Sequence, residues 1–400
     1  MDKQTVNADK ASPDAQKAEA EALTKINALL LNDISTKIKS YPSMDMTAIL
    51  EQKLKTYPTL RQVFTKSALK AASSSTARAE PPRPPADPRD EFRIPLDAKV
   101  LRPLDAAVLQ TAQVQVQDTQ DASDLSLVLA RLNDRVQESE VIWQLGSSAV
   151  LGLDSRLVMK VGQDIDISHI PTLDYVKQQA PRLPIPEIHG VVQQADGNRT
   201  FVFMTRIAGE PLDSKWRSLD RIQKASISEQ LDTIMRGFRL LPAPPSDDPR
   251  AVLGGGNPRR CKDARRQLRT ADEPITNEST FNEFIASNPQ RSNSSYIEMI
   301  RSYLESDHEI VLTHGDLHPR NIMVSITPGD SSDDAPRVVV TGLLDWEMAG
   351  WYPEYWEYVK ALHTLAPGDG FDDWYVYLPP AIGVWPREHA VDVMLSRWHG

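Results

Sequence analysis

Two aspartates and an asparagine at a characteristic spacing are the residues of this sequence best suited to chemistry. The run at 314–321 reads HGDLHPRN, so that Asp316 and Asn321 share one loop, and Asp345 follows in the segment LDWE. Strand-like apolar residues flank the run on both sides. Phosphoryl transfer requires a carboxylate that orients the attacking hydroxyl and accepts its proton, together with oxygen ligands for Mg²⁺. A loop of this form, a hairpin and a second aspartate supply those parts. A helix cap and a buried, hydrogen-bonded aspartate are the structural alternative.

The run and the downstream Asp-Trp-Glu resemble the aminoglycoside phosphotransferase/choline kinase family, in particular its large fungal branch. The resemblance extends from about Val141 to the C-terminus. It implies a protein-kinase-like fold that uses ATP and Mg²⁺ to phosphorylate a hydroxyl of a small molecule. By this resemblance Asp316 is the catalytic base, Asn321 and Asp345 are the Mg²⁺ ligands, and His314 keeps the loop in shape.

The same resemblance assigns residues to the nucleotide. Lys160 closes an apolar strand and corresponds to the lysine that reaches the α- and β-phosphates, although a lysine at such a place can also be a solvated edge charge. A Gly-Ser-Ser turn corresponds to the loop over the phosphates, which alone is a weak signal because Gly-Ser pairs occur in any hairpin turn. The segment FMTR at 203–206 falls where the inter-lobe hinge of the family contacts adenine, with the core of a strand as the alternative. The remaining predicted nucleotide contacts are Gly146, Ser147, Ser148, Met204 and Arg206.

One departure from the family concerns the partner of the lysine. The family has a glutamate in the next helix that pairs with this lysine, and His169 stands at that position. Asp166 and Asp174 could substitute, but neither has the expected offset. A catalytically weak or inactive kinase-like binding protein therefore stays open as the alternative function.

Short strand-like segments precede a long helical region, which predicts an α+β protein. The expected architecture is a protein-kinase-like two-lobed fold with a small antiparallel-sheet N-lobe and a mainly helical C-lobe, preceded by a helical extension. Apolar residues three and four apart indicate helices in 1–72, and a Pro/Ser-rich linker is predicted over 73–98. The kinase-like domain then occupies 99–400, with the N-lobe at about 140–206 and the C-lobe at about 207–400.

Local patterns give more detailed expectations. The patterns predict helices at 122–136 and 172–179 and strands at 141–145, 149–151, 156–161, 188–192 and 200–204. The basic run 259–266 is interpreted as a solvated face. The aromatic segment after Asp345 is interpreted as packing, with Glu354 and Glu357 as possible contacts for a substrate cation.

Composition excludes several classes of protein. The chain has 400 residues, a hydrophobic share of 40% and a net charge of −10, which argues against a general nucleic-acid binder. No apolar stretch is long enough to span a bilayer, and the polar N-terminus is unlike a secretory signal. Cys261 is the single cysteine, so no internal disulfide can form and a reducing, cytoplasmic location is predicted. The expected partner is a small-molecule substrate, and a protein that binds the N-terminal helices is a second candidate.

Overall fold

The computed structural model describes the greater part of the chain. The described residues are 87–114, 122–163, 165–265, 268–289, 294–327, 336–363 and 370–397, with helical positions scattered between 23 and 61. The chain divides into two compact units, Met1–Ala86 and Asp87–Gly400. In the first unit the Tyr57 hydroxyl donates a hydrogen bond to Asn27 Oδ1 at 2.9 Å. Most of the predicted helical extension and the predicted linker at 73–86 lie outside the described residues.

A six-stranded antiparallel sheet forms the first lobe of the second unit, with the spatial order β1-β5-β6-β4-β3-β2. Its strands are rich in Val, Ile, Leu and Phe, which favour a pleated and half-buried surface. The five strands predicted from the sequence agree with the observed ones to within one residue at each end. The strands are β1 (Lys99–Arg102), β2 (Glu140–Leu145), β3 (Ser148–Gly152), β4 (Leu157–Gly162), β5 (Ile188–Gln193) and β6 (Thr200–Thr205).

Three helices accompany this sheet: α1 (Ala106–Thr111), α2 (Ala122–Glu138) and α3 (Ile170–Gln179). Leu129, Leu132 and Val136 follow one another at spacings of three and four on one face of α2 and are fully buried against sheet residues, as an amphipathic helix requires. The core of this lobe is therefore closed by a helix whose apolar face is readable in the sequence.

Residues 87–98 pack into the sheet lobe, although the composition had placed them in the linker. A 3-10 helix covers Pro88–Phe92, and Phe92 and Ile94 are buried in the same core as α2. The Ile94 amide donates to Asn133 Oδ1 at 2.7 Å. Apolar side chains two residues apart give this segment a buried face, which the surrounding prolines obscured.

The second lobe is mainly helical and carries short strand pairs. Asp220 and Gln223 form a capping box at the start of its longest helix, which buries Ile227, Leu231 and Phe238 on one face. The helices are α4 (Leu212–Lys215), α5 (Arg221–Arg239), α6 (Glu278–Ala286), α7 (Ser294–Arg301), α8 (Trp356–His363) and α9 (Pro386–Ser396). The strands are β7 (Glu210–Pro211), β8 (Lys262–Ala264), β9 (Leu268–Thr270), β10 (Ile310–Thr313), β11 (Ile322–Thr327), β12 (Arg337–Leu343) and β13 (Gly350–Pro353). Sheet first and helices after confirm the predicted α+β class with two lobes.

Two antiparallel pairings position the segments that carry the predicted chemistry. In the β11–β12 hairpin Ile322 is opposite Leu343, so the residues just outside the hairpin on each side lie next to each other. Strand β10, which leads into the HGDLHPRN loop, pairs with β13, which follows the Asp-Trp-Glu segment. The HGDLHPRN loop and the Asp-Trp-Glu segment therefore lie side by side, because the strands that flank the first pair with the strands that flank the second.

The basic run 259–266 is not a solvated face, so that prediction is wrong for its described residues. Arg259 and Lys262 are each 5% exposed and Asp263 is fully buried. Asp263 accepts from Arg265 at 2.8 Å and from Lys360 at 2.5 Å. The charges are buried because an acid within the run pairs with cations brought from other segments.

No helix in the described part of the chain combines the length and apolar character needed to cross a lipid bilayer.

Candidate active site

The loop that contains Asp316 is shaped by a buried histidine. His314 Nδ1 accepts a hydrogen bond from the Asp316 amide at 3.2 Å, and Nε2 lies 2.9 Å from the carbonyl oxygen of Leu344. An acceptor at Nδ1 and a donor at Nε2 define a neutral imidazole with its proton on Nε2. His314 thus joins the loop to the chain just before Asp345, in agreement with the shaping role that the resemblance implied.

A buried glutamate supports the same loop from below. Glu357, on α8, is fully buried and accepts hydrogen bonds from the amides of His314 at 2.6 Å and Gly315 at 3.2 Å. Burial raises the pKa of Glu357, while His314 and Arg239 partly offset this. A fully buried carboxylate cannot contact a substrate cation, so that expectation is wrong for Glu357.

Close approach of two segments explains the glycine that precedes Asp316. Gly315 has φ +79°, and a Cβ atom there would lie 2.8 Å from the carbonyl oxygen of Met348. A side chain at this position would both strain the backbone and separate the two loops. The glycine therefore allows the Asp316 loop to pack directly on the segment after Asp345.

The Asp316 carboxylate receives hydrogen bonds from two residues of its own loop. Asn321 Nδ2 donates to Oδ2 at 2.8 Å and to the Asp316 carbonyl at 2.9 Å. Arg320 Nη2 donates to Oδ1 at 3.0 Å and to Oδ2 at 3.1 Å. The Asp316 side chain keeps 18% exposure, so its carboxylate is fixed in orientation and still open to a small reactant.

Asp345 lies beside this loop in a left-handed backbone conformation, with φ 62° and ψ 65°. Aspartate tolerates this region better than most residues, and such outliers concentrate at functional sites. The Leu344 amide donates to the carbonyl of Asn321 at 2.7 Å. The residue directly before Asp345 is thus linked through its backbone to the Asp316 loop.

Lys160 extends from β4 of the sheet lobe to two acids of the helical lobe, Asp345 and Glu347. Its Nζ lies 3.2 Å from Asp345 Oδ1 and makes a still closer ion pair with Glu347. Burial by itself would lower the pKa of Lys160, but Asp345 and Glu347 outweigh it and raise that pKa. Against the effect of burial, Lys160 lowers the pKa of Asp345. Burial and the adjacent Asp345 raise the pKa of Glu347 despite its pairing with Lys160.

Glu347 therefore provides the carboxylate that the sequence did not show in the helix after the lysine strand. His169 is the N-cap residue of α3. Its buried Nδ1 has no hydrogen-bond partner among the residues that the structure describes, and burial, together with nearby Lys262 and Lys160, lowers its pKa to about 4. The two aspartates considered as substitutes pair elsewhere, Asp166 with Lys262 at 2.6 Å and Asp174 with Arg102 at 2.5 Å.

Lys262, at the start of β8, contacts both Asp166 before α3 and the segment that contains Asp345 and Glu347. Its Nζ donates to Asp166 Oδ2 at 2.6 Å and to the carbonyl of Glu347 at 2.9 Å. The side chain is 6% exposed. Lys262 thus fixes the backbone of the residue whose carboxylate holds Lys160.

The other predicted nucleotide residues lie in the sheet lobe or directly after its last strand. Gly146 and Ser147 form the turn between β2 and β3, with Gly146 at φ +57°, and Ser148 begins β3. Met204 lies in β6 and is half-buried. The Arg206 side chain pairs with Glu140 at 2.6 Å and donates to the Asp154 carbonyl at 3.2 Å.

The structure thus places Asp316 in contact with Asn321, and Lys160 in contact with Asp345. The hydrogen bonds of the Leu344 backbone join these two pairs. Sequence reasoning missed four neighbours of these residues. Arg320 and Glu347 lie inside the recognised motifs, where a charged residue was a usable signal. Glu357 was considered only as a substrate contact and Lys262 only as part of the basic run, because the contacts that place them at the site come from distant segments. The four are Arg320, Glu347, Lys262 and Glu357.

Comparison with known families agrees with this geometry. A model of the family described as "Phosphotransferase enzyme family" matches residues 170–382, which is more than half of the chain. The chain belongs to this phosphotransferase family. The predicted relationship to aminoglycoside phosphotransferases and choline kinases is confirmed. No curated protein matches the chain.

Solved structures similar to this phosphotransferase are distant. Aminoglycoside 2'-phosphotransferase-IIIa in its GDP complex is 18% identical, with 64% of this chain and 81% of that chain covered and a TM-score of 0.39. Aminoglycoside-3'-phosphotransferase of type VIII is 14% identical, with 67% and 98% covered and a TM-score of 0.39. APH(3'')-Id from Streptomyces rimosus is 14% identical, with 65% and 93% covered and a TM-score of 0.38. Similarity at this level does not determine what this phosphotransferase binds.

Proposed function

We propose that this phosphotransferase moves the γ-phosphate of ATP to a hydroxyl group of a small molecule. The observation that carries the proposal is the pair of charge clusters at adjoining loops. Asp316 is fixed by Asn321 in one, and Asp345 is paired with Lys160 in the other, with the Leu344–Asn321 hydrogen bond between them. Phosphoryl transfer depends mainly on such positioning and charge stabilisation.

Asp316 is the proposed general base. The acceptor oxygen forms a bond to the γ-phosphorus while the bond between that phosphorus and the β–γ bridging oxygen breaks. The hydroxyl proton passes to the Asp316 carboxylate, and ADP leaves. The 18% exposure of the Asp316 side chain and its two fixed oxygens suit a group that must accept one proton in a defined direction.

Asn321 and Asp345 are the proposed Mg²⁺ ligands. Both hydrogen bonds of the Asn321 amide use Nδ2, and within the described residues no hydrogen bond engages its Oδ1. Among the described residues no group of three or more His, Cys, Asp or Glu is arranged to hold a metal. An amide oxygen and a carboxylate fit Mg²⁺, which takes few protein ligands and completes its shell with phosphate and water. Bound there, Mg²⁺ would neutralise charge on the transferred phosphate.

Lys160 is the proposed contact to the α- and β-phosphates, held by Glu347 when Asp345 turns to the metal. The turn at 146–148 is proposed to cover the phosphates. Its glycine and exposed position would let backbone amides approach a phosphate closely. Met204 and the backbone at Arg206 are proposed to border the adenine, while the Arg206 side chain stays in its ion pair with Glu140.

Nucleotide binding and turnover test the proposal separately. ATP with Mg²⁺ is expected to raise the melting temperature of the wild-type chain, and Asn321→Ala and Asp345→Ala are expected to remove the Mg²⁺-dependent part of the shift. ATP consumption should rise with at least one hydroxyl compound from a panel of alcohols, sugars and amino alcohols. A full Mg²⁺-dependent shift without consumption for any acceptor would favour the alternative, a kinase-like binding protein. No shift at all would contradict both functions.

A further inference from the structure

The side chain next to the proposed base is a cation with unused hydrogen-bond donors. Only Nη2 of Arg320 contacts Asp316, at 3.0 and 3.1 Å. Within the described residues Nη1 and Nε of Arg320 make no hydrogen bond. The Arg320 side chain is 49% exposed. A guanidinium offers five N–H groups in a rigid fork that matches carboxylate and phosphate oxygens, so Arg320 can hold Asp316 and a second anion at once.

The cations of the site are divided between its two sides. Lys160 pairs with Asp345 and Glu347, the acids proposed to face metal and phosphates. Arg320 pairs with Asp316, which receives the acceptor hydroxyl. The second anion at Arg320 would therefore be part of the acceptor rather than of the nucleotide.

Two carboxylates on the acceptor side are already paired with cations. Phe371 packs edge-on against His318 of the loop, with ring centroids 5.4 Å apart, and brings Asp373 into this region. Asp373 accepts from Trp216 Nε1 and from Lys224 Nζ, both at 2.7 Å. A polycationic acceptor would find Asp316 already paired with Arg320 and Asp373 already paired with Lys224.

We infer that the acceptor is a hydroxyl compound that carries a carboxylate or phosphate close to the reacting hydroxyl, and that Arg320 binds this anionic group. The inference rests on the proposed kinase function. Because Arg320 contacts Asp316 directly, its remaining N–H groups lie next to the place of the reacting hydroxyl, so the anionic group of the acceptor must lie close to that hydroxyl. Two acids also lie near this region. Asp213 is on α4, the helix that packs against the turn Pro319–Asn321, and Asp372 follows Phe371 in the chain. Anionic and cationic acceptors must therefore both be compared.

Four compounds with the same three-carbon skeleton provide the comparison: glycerol, glycerate, glycerol 3-phosphate and 3-amino-1,2-propanediol. ATP consumption with Mg²⁺ is measured for the full chain against the concentration of each. Glycerate or glycerol 3-phosphate is expected to give a kcat/KM at least about tenfold above that of glycerol, because one charge-assisted contact is gained. The amine is expected to be the poorest acceptor. Equal values for all four compounds, no stimulation by any of them, or the highest value for the amine would overturn the inference.

Variants at Arg320 separate acceptor binding from a general effect on the reaction. R320Q is expected to raise KM for the anionic acceptor and lower its kcat/KM about 30- to 100-fold. For glycerol, which offers Arg320 no anion, the loss should be at least about tenfold smaller, because only the hydrogen bonds that hold Asp316 are affected. R320K should recover part of the loss with the anionic acceptor because it keeps the charge without the fork. Arg236 forms the same i,i+4 ion pair with Asp232 on α5, so R236Q is the matched control and should change neither acceptor. An equal loss with R320Q for all acceptors would place Arg320 on the γ-phosphate and overturn the inference.

The melting temperature with ATP and Mg²⁺ distinguishes the two levels of the argument. If ATP with Mg²⁺ stabilises both wild type and R320Q but kcat/KM is no higher for the anionic acceptors than for glycerol, the inferred substrate class is wrong and nucleotide binding stands. If neither protein responds to the nucleotide, the kinase function itself fails.

Discussion

Replacing Glu347 by glutamine should weaken the binding of ATP with Mg²⁺ without weakening the fold. Glu347 and Lys160 form the closest ion pair of the site, with side chains 32% and 27% exposed. Asp345 is the second partner of Lys160, but it is also the proposed metal ligand. With Mg²⁺ bound, Glu347 would be the carboxylate left to hold Lys160 against the phosphates.

The size of the effect follows from the partial burial of the pair. Exposed pairs contribute up to about 1 kcal/mol, and breaking a fully buried pair costs about 3–5 kcal/mol. At this intermediate exposure, with solvent screening taken into account, E347Q should cost about 1–2 kcal/mol of nucleotide binding, or about 5- to 30-fold in Kd. The free energy of unfolding should change by less than about 1 kcal/mol, because burial and Asp345 already disfavour the charged form of Glu347.

Titration calorimetry with ATP and Mg²⁺ and thermal unfolding without nucleotide measure the two quantities on the same samples. E138Q is the matched control, because it removes a glutamate from the exposed Arg135–Glu138 pair, in which Glu138 is 70% exposed. An E347Q Kd within twofold of wild type would refute the role of Glu347. A large loss of stability in E347Q would show that the ion pair serves the fold instead.

Three further predictions concern groups that support the site. Burial lowers the pKa of His169 to about 4, so its neutral form stabilises the fold fully above its unfolded pKa of about 6.5, and this contribution is lost as the pH falls from 6.5 towards 4. H169Q should therefore lose about 1–2 kcal/mol less stability than wild type between pH 7 and pH 5 in chemical denaturation; equal losses would contradict this. E357A leaves two buried loop amides without their acceptor and should lower the free energy of unfolding by about 2–4 kcal/mol. A change below about 0.5 kcal/mol would show that water replaces the carboxylate. D263N leaves Lys360, Arg265 and Arg269 around a neutral amide and should cost about 3–5 kcal/mol in urea unfolding, with unchanged stability as the refuting result.

The convergence of the main site residues could be predicted from the sequence because much of it is local. Asn321 and Asp345 flank one hairpin, whose strands pair Ile322 with Leu343. Turn-bounded apolar runs define such a hairpin without tertiary information. The Lys160 strand is equally visible as an apolar segment with one cation, although Lys160 lies within β4 and not at its end.

The partner of Lys160 could not be predicted, because it depends on how the lobes meet. Glu347 is 187 residues from Lys160, and the family pattern directed attention to the helix after the lysine strand. His169 correctly indicated that the expected carboxylate is missing there. That another acid fills the role follows only from the left-handed conformation of Asp345 and the short 3-10 helix Trp346–Met348, which turn Glu347 towards Lys160.

Burial of most described residues of the basic run at 259–266 shows a second limit of sequence reasoning. Consecutive cations normally indicate a solvated face, since an unpaired charge is rarely buried. Here Asp263 forms an ion pair with Lys360 of α8, and Asp392 of α9 lies 2.7 Å from Arg265 Nη2. Partners so distant along the chain leave no pattern in a local window.

Transfer of labelled phosphate tests the central claim most directly. The wild-type chain and D316N are incubated with ATP labelled at the γ-phosphate, Mg²⁺ and a mixture of small hydroxyl compounds, and labelled products other than free phosphate are separated and counted. The account predicts a labelled, Mg²⁺-dependent product with wild type and its loss with D316N, which should still bind ATP with Mg²⁺. The same amount of product from D316N as from wild type would contradict Asp316 as the base and, with it, the proposed reaction geometry.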